Sequence, residues 1–206
     1  MMCYQTTLLD LAHNNPLVIV LSGPSGVGKD SVLKAMQSRG LAFHFVVTST
    51  DRKPRVGEVN GVDYNFISTE QFRRMIQNGE FIEFAEVYGD LKGVPKSQIH
   101  DALASGKDVV LRLDVQGAAR LRQLFPESIQ IFLVPENEEK WRDRFISRKT
   151  ETVEMLQQRM DIAHEELKRV NEFNYVVVNC TDCLDTTVNQ IAAIIEAEHL
   201  KVRSGS

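Results

Sequence analysis

The chain has 206 residues, of which 43% are apolar, and its formal net charge is −4. That length and apolar content suffice for one domain with a sizeable core and a small insertion. The acidic balance argues against a bulk nucleic-acid binder, which would normally carry a basic face. No segment approaches the roughly 18 apolar residues of a membrane-spanning helix. We therefore expect neither nucleic acid nor a membrane as a partner.

The termini and the cysteines carry weaker signals. Residues 1–15 lack the basic start and apolar core of a secretory signal, so we expect a flexible leader there and a frayed tail at 201–206. Cys3, Cys180 and Cys183 are too few for a disulfide framework. Cys180 and Cys183 have a Cys-x-x-Cys spacing, but no second pair or His cluster accompanies them, and we interpret them as ordinary thiols near a strand end. The expected location is the reducing cytoplasm.

The strongest motif spans residues 23–29, Gly-Pro-Ser-Gly-Val-Gly-Lys, which has the spacing of a phosphate-binding loop. An apolar run precedes it and a segment with helical spacing, 31–38, follows it. In that context several backbone N–H groups converge on a polyphosphate, and Lys29 adds a charge near its outer phosphates. The motif predicts a nucleoside triphosphate site made of Gly23, Pro24, Ser25, Gly26, Val27, Gly28, Lys29, Asp30 and Ser31.

The loop departs from its usual pattern at the residue after the lysine. That position normally holds Ser or Thr, which binds Mg²⁺, but here it is Asp30, and Ser31 comes one residue late. A carboxylate is a hard oxygen ligand that can hold Mg²⁺ directly or through water. We therefore expect Mg²⁺ to accompany the nucleotide, with Asp30 as its candidate ligand.

Apolar strands alternate with helical patterns along the chain, which is typical of an α/β fold with a parallel sheet. The predicted strands lack polar alternation, as expected for strands covered on both faces, and span residues 17–22, 45–49, 109–114, 129–134 and 175–179. The predicted helices of this part of the chain are 116–124, 140–147, 152–169 and 184–198.

Residues 50–94 have a different texture, with five glycines and only short strand-like segments at 62–66 and 81–87. Between those segments, Ser68-Thr69-Glu70-Gln71 is a capping-box pattern that predicts a helix capped by Ser68. The pattern indicates a small α+β insertion, mobile relative to the sheet. The core is then expected to consist of residues 16–49 and 95–200.

A cluster of three cations, Arg52, Lys53 and Arg55, opens this insertion. Pro54 keeps Lys53 out of the helical region, so Arg52 and Arg55 can converge on one anion. Bidentate guanidinium contacts suit a monophosphate. A solvated loop is the alternative.

The segment from Arg52 to Phe66, which includes Gly57-Glu58-x-x-Gly61-x-Asp63-Tyr64-x-Phe66, resembles the guanylate kinase family. The resemblance continues through 80–83 and 114–117 to an arginine-bearing region near Arg148, and covers about 17–196. It implies a P-loop fold with helices on both faces of a parallel sheet, a GMP-binding insertion at 50–94 and a helical lid at about 144–159. The implied activity is Mg²⁺-dependent phosphoryl transfer from ATP to GMP, with dGMP as a further acceptor.

The same resemblance implies roles for individual residues. Those expected to bind GMP are Thr48, Arg52, Arg55, Tyr64, Glu83, Lys92 and Asp114. Glu83 and Asp114 would accept from the guanine N–H groups, and they would exclude adenine because it offers no donor there. Those expected to stabilise the transferring phosphoryl group are Lys29, Arg52, Arg144, Arg148 and Arg159. Asn179 would lie near the adenine of ATP.

The resemblance is incomplete at residues 92–94, and two other functions stay open. The family usually has Tyr-Gly-Ser or Tyr-Gly-Thr where this chain has Lys92-Gly93-Val94. Lys92 can still bind a phosphate, but Val94 cannot donate to the guanine oxygen. One alternative is a non-catalytic guanylate-kinase-like scaffold that binds phosphopeptides. The other is a ribose bisphosphate kinase, which shares the Gly-Lys-Asp-Ser form of the loop. The sequence does not predict an oligomeric state.

Overall fold

The computed structural model describes residues 16–87, 89–146, 153–180 and 182–202. The strands of this part of the chain are β1 Val18–Ser22, β2 Phe43–Phe45, β3 Ser49–Thr50, β4 Asn65–Phe66, β5 Phe81–Val87, β6 Asp90–Pro95, β7 Asp108–Arg112, β8 Ile129–Pro135 and β9 Tyr175–Asn179. Its helices are α1 Lys29–Ser38, α2 Thr69–Gln77, α3 Lys96–Ala104, α4 Val115–Leu124, α5 Glu138–Ile146, α6 Val153–Leu167 and α7 Leu184–His199, with a 3₁₀ turn at Lys168–Glu172.

The larger sheet has five strands in the order β2-β7-β1-β8-β9, and all of its neighbouring strands are parallel. Alternate side chains of β1 enter two different apolar clusters. Ile19 and Leu21 pack with residues of α1 and α7, whereas Val20 packs with residues of α3 and α4. Helices therefore cover both faces of the sheet, which confirms the predicted fold class and explains why its strands are apolar without alternation.

The smaller sheet has four strands in the order β4-β3-β6-β5. Its core is a stack of Phe72 from α2 on Phe81 from β5, with ring centroids 4.4 Å apart. A Cβ added to Gly93 would lie 2.8 Å from Phe81 Cδ1 and 3.0 Å from Phe72 Cζ, so only glycine lets the rings approach β6 this closely. The Ser68 hydroxyl accepts from the Gln71 N–H, which confirms the predicted helix cap.

Several predicted boundaries differ from the structure. The predicted strand at 45–49 is wrong, because β2 ends at Phe45 in the large sheet and β3 begins at Ser49 in the small one. The residues between them carry the chain from one sheet to the other. Of the predicted strand at 62–66, only Asn65–Phe66 forms a strand, and β6 and α3 were not predicted.

The predicted division of the chain at residues 50 and 94 stays a prediction. The small sheet covers 49–95, close to those limits. The centre of the predicted lid, with Arg148, lies outside the described residues, so only its flanking helices α5 and α6 can be followed. These two helices pack through Trp141, Met160 and Ala163, which are all buried.

The structure brings the sulfur atoms of Cys180 and Cys183 together, so these two residues, predicted as ordinary thiols, are placed where they can also form a disulfide. Their Cα atoms are 5.4 Å apart, within the range that a disulfide bridges.

Within the described ranges, no helix combines the length and the apolar character needed to cross a membrane.

Candidate functional site

A cavity of about 270 Å³ lies where the phosphate-binding loop meets the small sheet. It opens beyond the carboxyl end of the central strand β1, the usual position of ligand sites in parallel α/β sheets. Its lining combines residues predicted for both substrates: Ser25, Gly26, Val27, Gly28, Lys29, Asp30, Thr48, Arg55, Tyr64, Glu83, Lys92, Asp114 and Arg159. It also includes Asp90, Arg112, Leu113 and Glu166, for which no role was predicted.

The phosphate-binding loop connects β1 to α1 and adopts a tightly turned backbone. Gly28, at the N-cap of α1, has φ 97°, a left-handed value that favours glycine. A Cβ there would also lie 2.5 Å from Asn179 Nδ2. Lys29 Nζ folds back over the loop and donates to the carbonyl oxygens of Gly23 and Pro24, at 2.5 and 3.2 Å. Burial lowers the pKa of Lys29, although nearby Glu166 and other carboxylates raise it.

Two predicted site residues hold this loop through one carbonyl group. The Val27 oxygen accepts from Arg144 Nη1 at 2.6 Å and from Asn179 Nδ2 at 2.7 Å. Asn179 is 2% exposed, and its Oδ1 accepts from the Thr187 hydroxyl. Both side chains therefore brace the loop here, and their predicted contacts with the phosphoryl group and the adenine stay predictions.

Ser25 is fixed by three side chains from the helices beyond the loop. Its N–H donates to Glu166 Oε2 at 2.8 Å, its carbonyl accepts from Trp141 Nε1 at 2.9 Å, and its hydroxyl accepts from Arg159 Nη2 at 3.3 Å. Burial raises the pKa of Glu166, while Lys29 lowers it. Sequence reasoning missed Glu166. The signal was its spacing of seven residues from Arg159, which places both on one face of α6.

Glu83 is the most unusual side chain on the opposite wall of the cavity. It is 6% exposed, and among the described residues its Oε2 atom has no hydrogen-bond partner. Arg120 Nη1 is 3.8 Å from that oxygen, beyond hydrogen-bonding distance. Burial and the charge of Asp114 together raise the pKa of Glu83 to about 7, although Arg120 opposes the shift. A buried carboxylate oxygen that accepts no hydrogen bond from the described residues suits a ligand that supplies an N–H donor.

Asp114 has a structural task as well as a position in the cavity lining. Its Oδ1 caps α4 by accepting from the N–H groups of Gln116 and Gly117, at 2.9 and 2.8 Å. Gly117 also lies close to Glu83, because a Cβ there would make a tight contact of 3.2 Å with Glu83 Oε1. Thr48, from the crossing between the sheets, lines the same cavity and is 5% exposed.

The cations predicted to bind the acceptor phosphate differ in whether they line the cavity. Lys92 lines the cavity, and burial lowers its pKa to about 8 although Asp114 raises it. Arg55 also lines the cavity. Arg52 instead makes a bidentate pair with Glu58, at 2.6 and 2.7 Å, and lies over the ring of Tyr64. The main-chain N–H of Arg55 donates to the same carboxylate.

Val94, the second departure from the family pattern, is fully buried in the apolar cluster behind the cavity. Its side chain packs within that cluster and does not line the cavity. Ser31 is exposed on α1 and does not line the cavity, although it was predicted to bind ATP.

Comparisons with known proteins agree with this geometry. The sequence model of the guanylate kinase family matches residues 15–198. Guanylate kinase from Shouchella clausii is 43% identical over 90% of this chain and 89% of that protein. The chain belongs to the guanylate kinase family.

Two further relatives extend the comparison within the family. A rice (Oryza sativa subsp. japonica) protein named guanylate kinase 2, chloroplastic/mitochondrial, is 53% identical over 91% of this chain, which spans only 66% of that protein's length. The crystal structure of guanylate kinase from Anaplasma phagocytophilum superposes with a TM-score of 0.74, at 31% identity, over 91% of this chain and 88% of that one. The resemblance inferred from the motifs is confirmed.

The described residues do not form a protein-only magnesium site. They contain no cluster of three His, Cys, Asp or Glu side chains arranged for a metal ion. The carboxylate of Asp30, the candidate ligand, lies against the guanidinium of Arg112. Mg²⁺ commonly binds through substrate phosphates and water with few protein ligands, so the donor set here suits an ion that arrives on the nucleotide. The predicted contact with Asp30 stays a prediction.

Proposed function

We propose that this protein is a working guanylate kinase, which transfers the γ-phosphoryl group of ATP to GMP and yields ADP and GDP. The observation that carries the proposal is a single cavity with a phosphate-binding loop on one wall and the unmatched oxygen of buried Glu83 on the other. The first wall would bind a triphosphate, and the second would bind a base that donates hydrogen bonds.

The donor half of the reaction belongs to the loop and the cations beside it. Phosphoryl transfer needs in-line alignment and positive charge more than covalent chemistry. Lys29 Nζ, bonded here to two loop carbonyls, can turn to the phosphate oxygens that the loop amides bind. Arg159 approaches from α6, and Glu166 and Trp141 fix the loop around Ser25.

The acceptor half belongs to the small sheet and the end of β7. Glu83 and Asp114 would accept from the amino and ring N–H groups of guanine, with Thr48 beside them. Arg55, Tyr64 and Lys92 would bind the GMP phosphate from the other side of the cavity. The two halves face each other, as required for the acceptor phosphate to attack the γ-phosphorus in line.

We keep Mg²⁺ in the proposal as the companion of ATP. When bound, it would neutralise charge on the triphosphate. No step attributed to the protein's own residues depends on where the ion lies.

The test is to identify the products. Protein incubated with ATP, GMP and Mg²⁺ should form GDP and ADP in equal amounts, as separated by ion-exchange chromatography. A non-catalytic scaffold would form neither product, even though it bound GMP, and that outcome would refute the proposal. ADP without GDP would mean that the protein hydrolyses ATP or phosphorylates another acceptor.

We propose that the protein is located in the cytoplasm, as expected for the substrates proposed above. The Cys180–Cys183 pair provides a check, because disulfides persist in oxidising compartments and are rare in the cytosol. Thiol counting on protein trapped with an alkylating agent at cell lysis should find both cysteines reduced if the location is correct. Complete oxidation in the cell would contradict it.

A further inference from the structure

Arg112 lies at the carboxyl end of β7, and its side chain is 9% exposed. Three groups surround its guanidinium. Nη1 bonds the carboxylate of Asp30, Nη2 donates to the main-chain oxygen of Asp63 at 2.8 Å, and the ring centroid of Tyr64 is 4.2 Å from Cζ. A buried guanidinium is costly unless it is paired and hydrogen-bonded, and Asp30 supplies the paired charge.

These partners come from two different parts of the chain. Asp30 is in the first turn of α1, which begins at the phosphate-binding loop, whereas Asp63 and Tyr64 belong to the acceptor insertion. A second contact joins the same two parts, since Lys34 Nζ is 2.8 Å from Asp63 Oδ1. Residues 30 and 34 are one helical turn apart and so share a face of α1. That face therefore holds the 63–64 segment at two points.

Tyr64 is the residue of this segment that lines the cavity where the acceptor phosphate is expected. Two guanidinium groups lie over its ring, that of Arg112 at 4.2 Å and that of Arg52 at 4.8 Å from the ring centroid. Contacts of this kind hold an aromatic ring in one orientation. The direction of the Tyr64 hydroxyl therefore depends on where Arg112 is placed.

We propose that Arg112, held by Asp30, is a positioning residue for acceptor binding: it fixes Tyr64 and joins the helix of the donor loop to the acceptor insertion. This inference rests on the proposed function. It gives Asp30 a task other than metal ligation and explains why an acid stands where Ser or Thr is usual. Serine there would leave the Arg112 guanidinium buried without its carboxylate.

The two roles for Asp30 differ in what they predict for Asp30→Ser. This variant restores the usual residue of the phosphate-binding loop, so binding of ATP should be retained. If Asp30 positions Arg112, the equilibrium dissociation constant of GMP, measured by calorimetry without ATP or Mg²⁺, should rise roughly tenfold. If Asp30 instead holds Mg²⁺, GMP binding should be unchanged and the Mg²⁺ concentration for half-maximal rate should increase.

The decisive experiment is a double-mutant cycle on GMP binding with Asp30→Ser, Arg112→Met and the two combined. Since the residues act as a pair, the double variant should bind GMP within about twofold of Arg112→Met alone. Asp30→Glu keeps a carboxylate within reach and should recover most of the affinity. Multiplicative effects of the two single changes, or unchanged GMP binding in Asp30→Ser, would overturn the proposal.

The matched control is Arg122→Met. Arg122 also pairs with a carboxylate, Glu172 at 3.7 Å, and lies over an aromatic ring, Phe173 at 5.6 Å, but it does not line the cavity. This variant should bind GMP normally. If Arg112→Met does not fold, Asp30→Ser and Asp30→Glu still decide the matter, because residue 30 is half exposed. Failure of the unmodified protein to phosphorylate GMP would refute the proposed function, whereas failure of the cycle alone would refute only the pairing.

Discussion

The single residue that best defines the acceptor is Glu83. Its Oε2 is buried and, among the described residues, has no hydrogen-bond donor, so guanine would supply what the protein does not. A hydrogen bond to a charged group contributes about 1.5–3 kcal/mol. Glu83→Gln should therefore lower kcat/KM for GMP by at least about tenfold. Steady-state kinetics test this, with Glu80→Gln as the control, because Glu80 is exposed in the same segment and, among the described contacts, its carboxylate accepts only from Asn78. Equal losses in the two variants would contradict the base-reading role.

The pKa values of two cavity residues predict a pH profile. Burial raises the pKa of Glu83 to about 7, so its carboxylate form increases as the pH rises through that value. Burial lowers the pKa of Lys92 to about 8, so its ammonium form is lost as the pH rises further. Because kcat/KM reports the free enzyme, its value for GMP should be bell-shaped, with a maximum between these two values.

Two variants test which side chain is responsible for each limb of the pH profile. Glu83→Gln should remove the low-pH limb, and Lys92→Arg should move the high-pH limb upwards because guanidinium stays charged. Limbs that remain in place in both variants would belong to other groups.

At the scale of the element, the position of Lys29 at the end of the phosphate-binding loop predicts the effect of replacing it. Its charge is expected to act on the phosphates in the transition state, so Lys29→Ala should lower kcat by about 10²–10³-fold, comparable to removal of one oxyanion-stabilising donor. Circular dichroism should show an unchanged fold. Lys140→Ala, which removes an exposed lysine of α5, is the control and should keep normal turnover. Near-normal turnover in folded Lys29→Ala would contradict the donor-site assignment.

A second prediction at this scale concerns the packing of the small sheet. The rings of Phe72 and Phe81 lie against Gly93 with no room for a Cβ. Gly93→Ala should therefore reduce the free energy of unfolding by about 1–3 kcal/mol, as overpacking of a core does. Combining it with Phe81→Leu should cost less than the sum of the two single changes, as measured by urea unfolding. Strict additivity would show that the ring is not what Gly93 accommodates.

The sequence predicted best those elements whose signal is local. The loop at 23–29, the strands β5 and β9 and the Ser68 cap each depend on a few adjacent residues. The strand predicted at 45–49 failed because its apolar residues are continuous, whereas the chain changes sheets between Phe45 and Ser49. Strand β6 was not predicted because its sequence contains Gly93 and Pro95, and glycine and proline usually mark the ends of strands.

At the scale of the whole molecule, the unpredicted part of the site consists of contacts between distant segments. Asp30 and Arg112 are 82 residues apart, and Ser25 and Glu166 are 141 apart. No local pattern encodes such pairs, because only the packing of α1, α6 and β7 around one sheet brings them together. The resemblance to a family predicts which residues bind the ligands, but it does not supply the partners specific to this chain.

The central claim is that one cavity aligns a nucleoside triphosphate with a guanine nucleotide, and the choice of acceptor tests it most directly. The measurement is a coupled ADP-release assay at fixed ATP, with GMP, dGMP, AMP, CMP, UMP and ribose 1,5-bisphosphate compared by kcat/KM. The account predicts that GMP is preferred, that dGMP follows it, and that AMP lags by at least about tenfold because adenine leaves Glu83 unpaired. A preference for ribose 1,5-bisphosphate, or equal use of AMP and GMP, would contradict it.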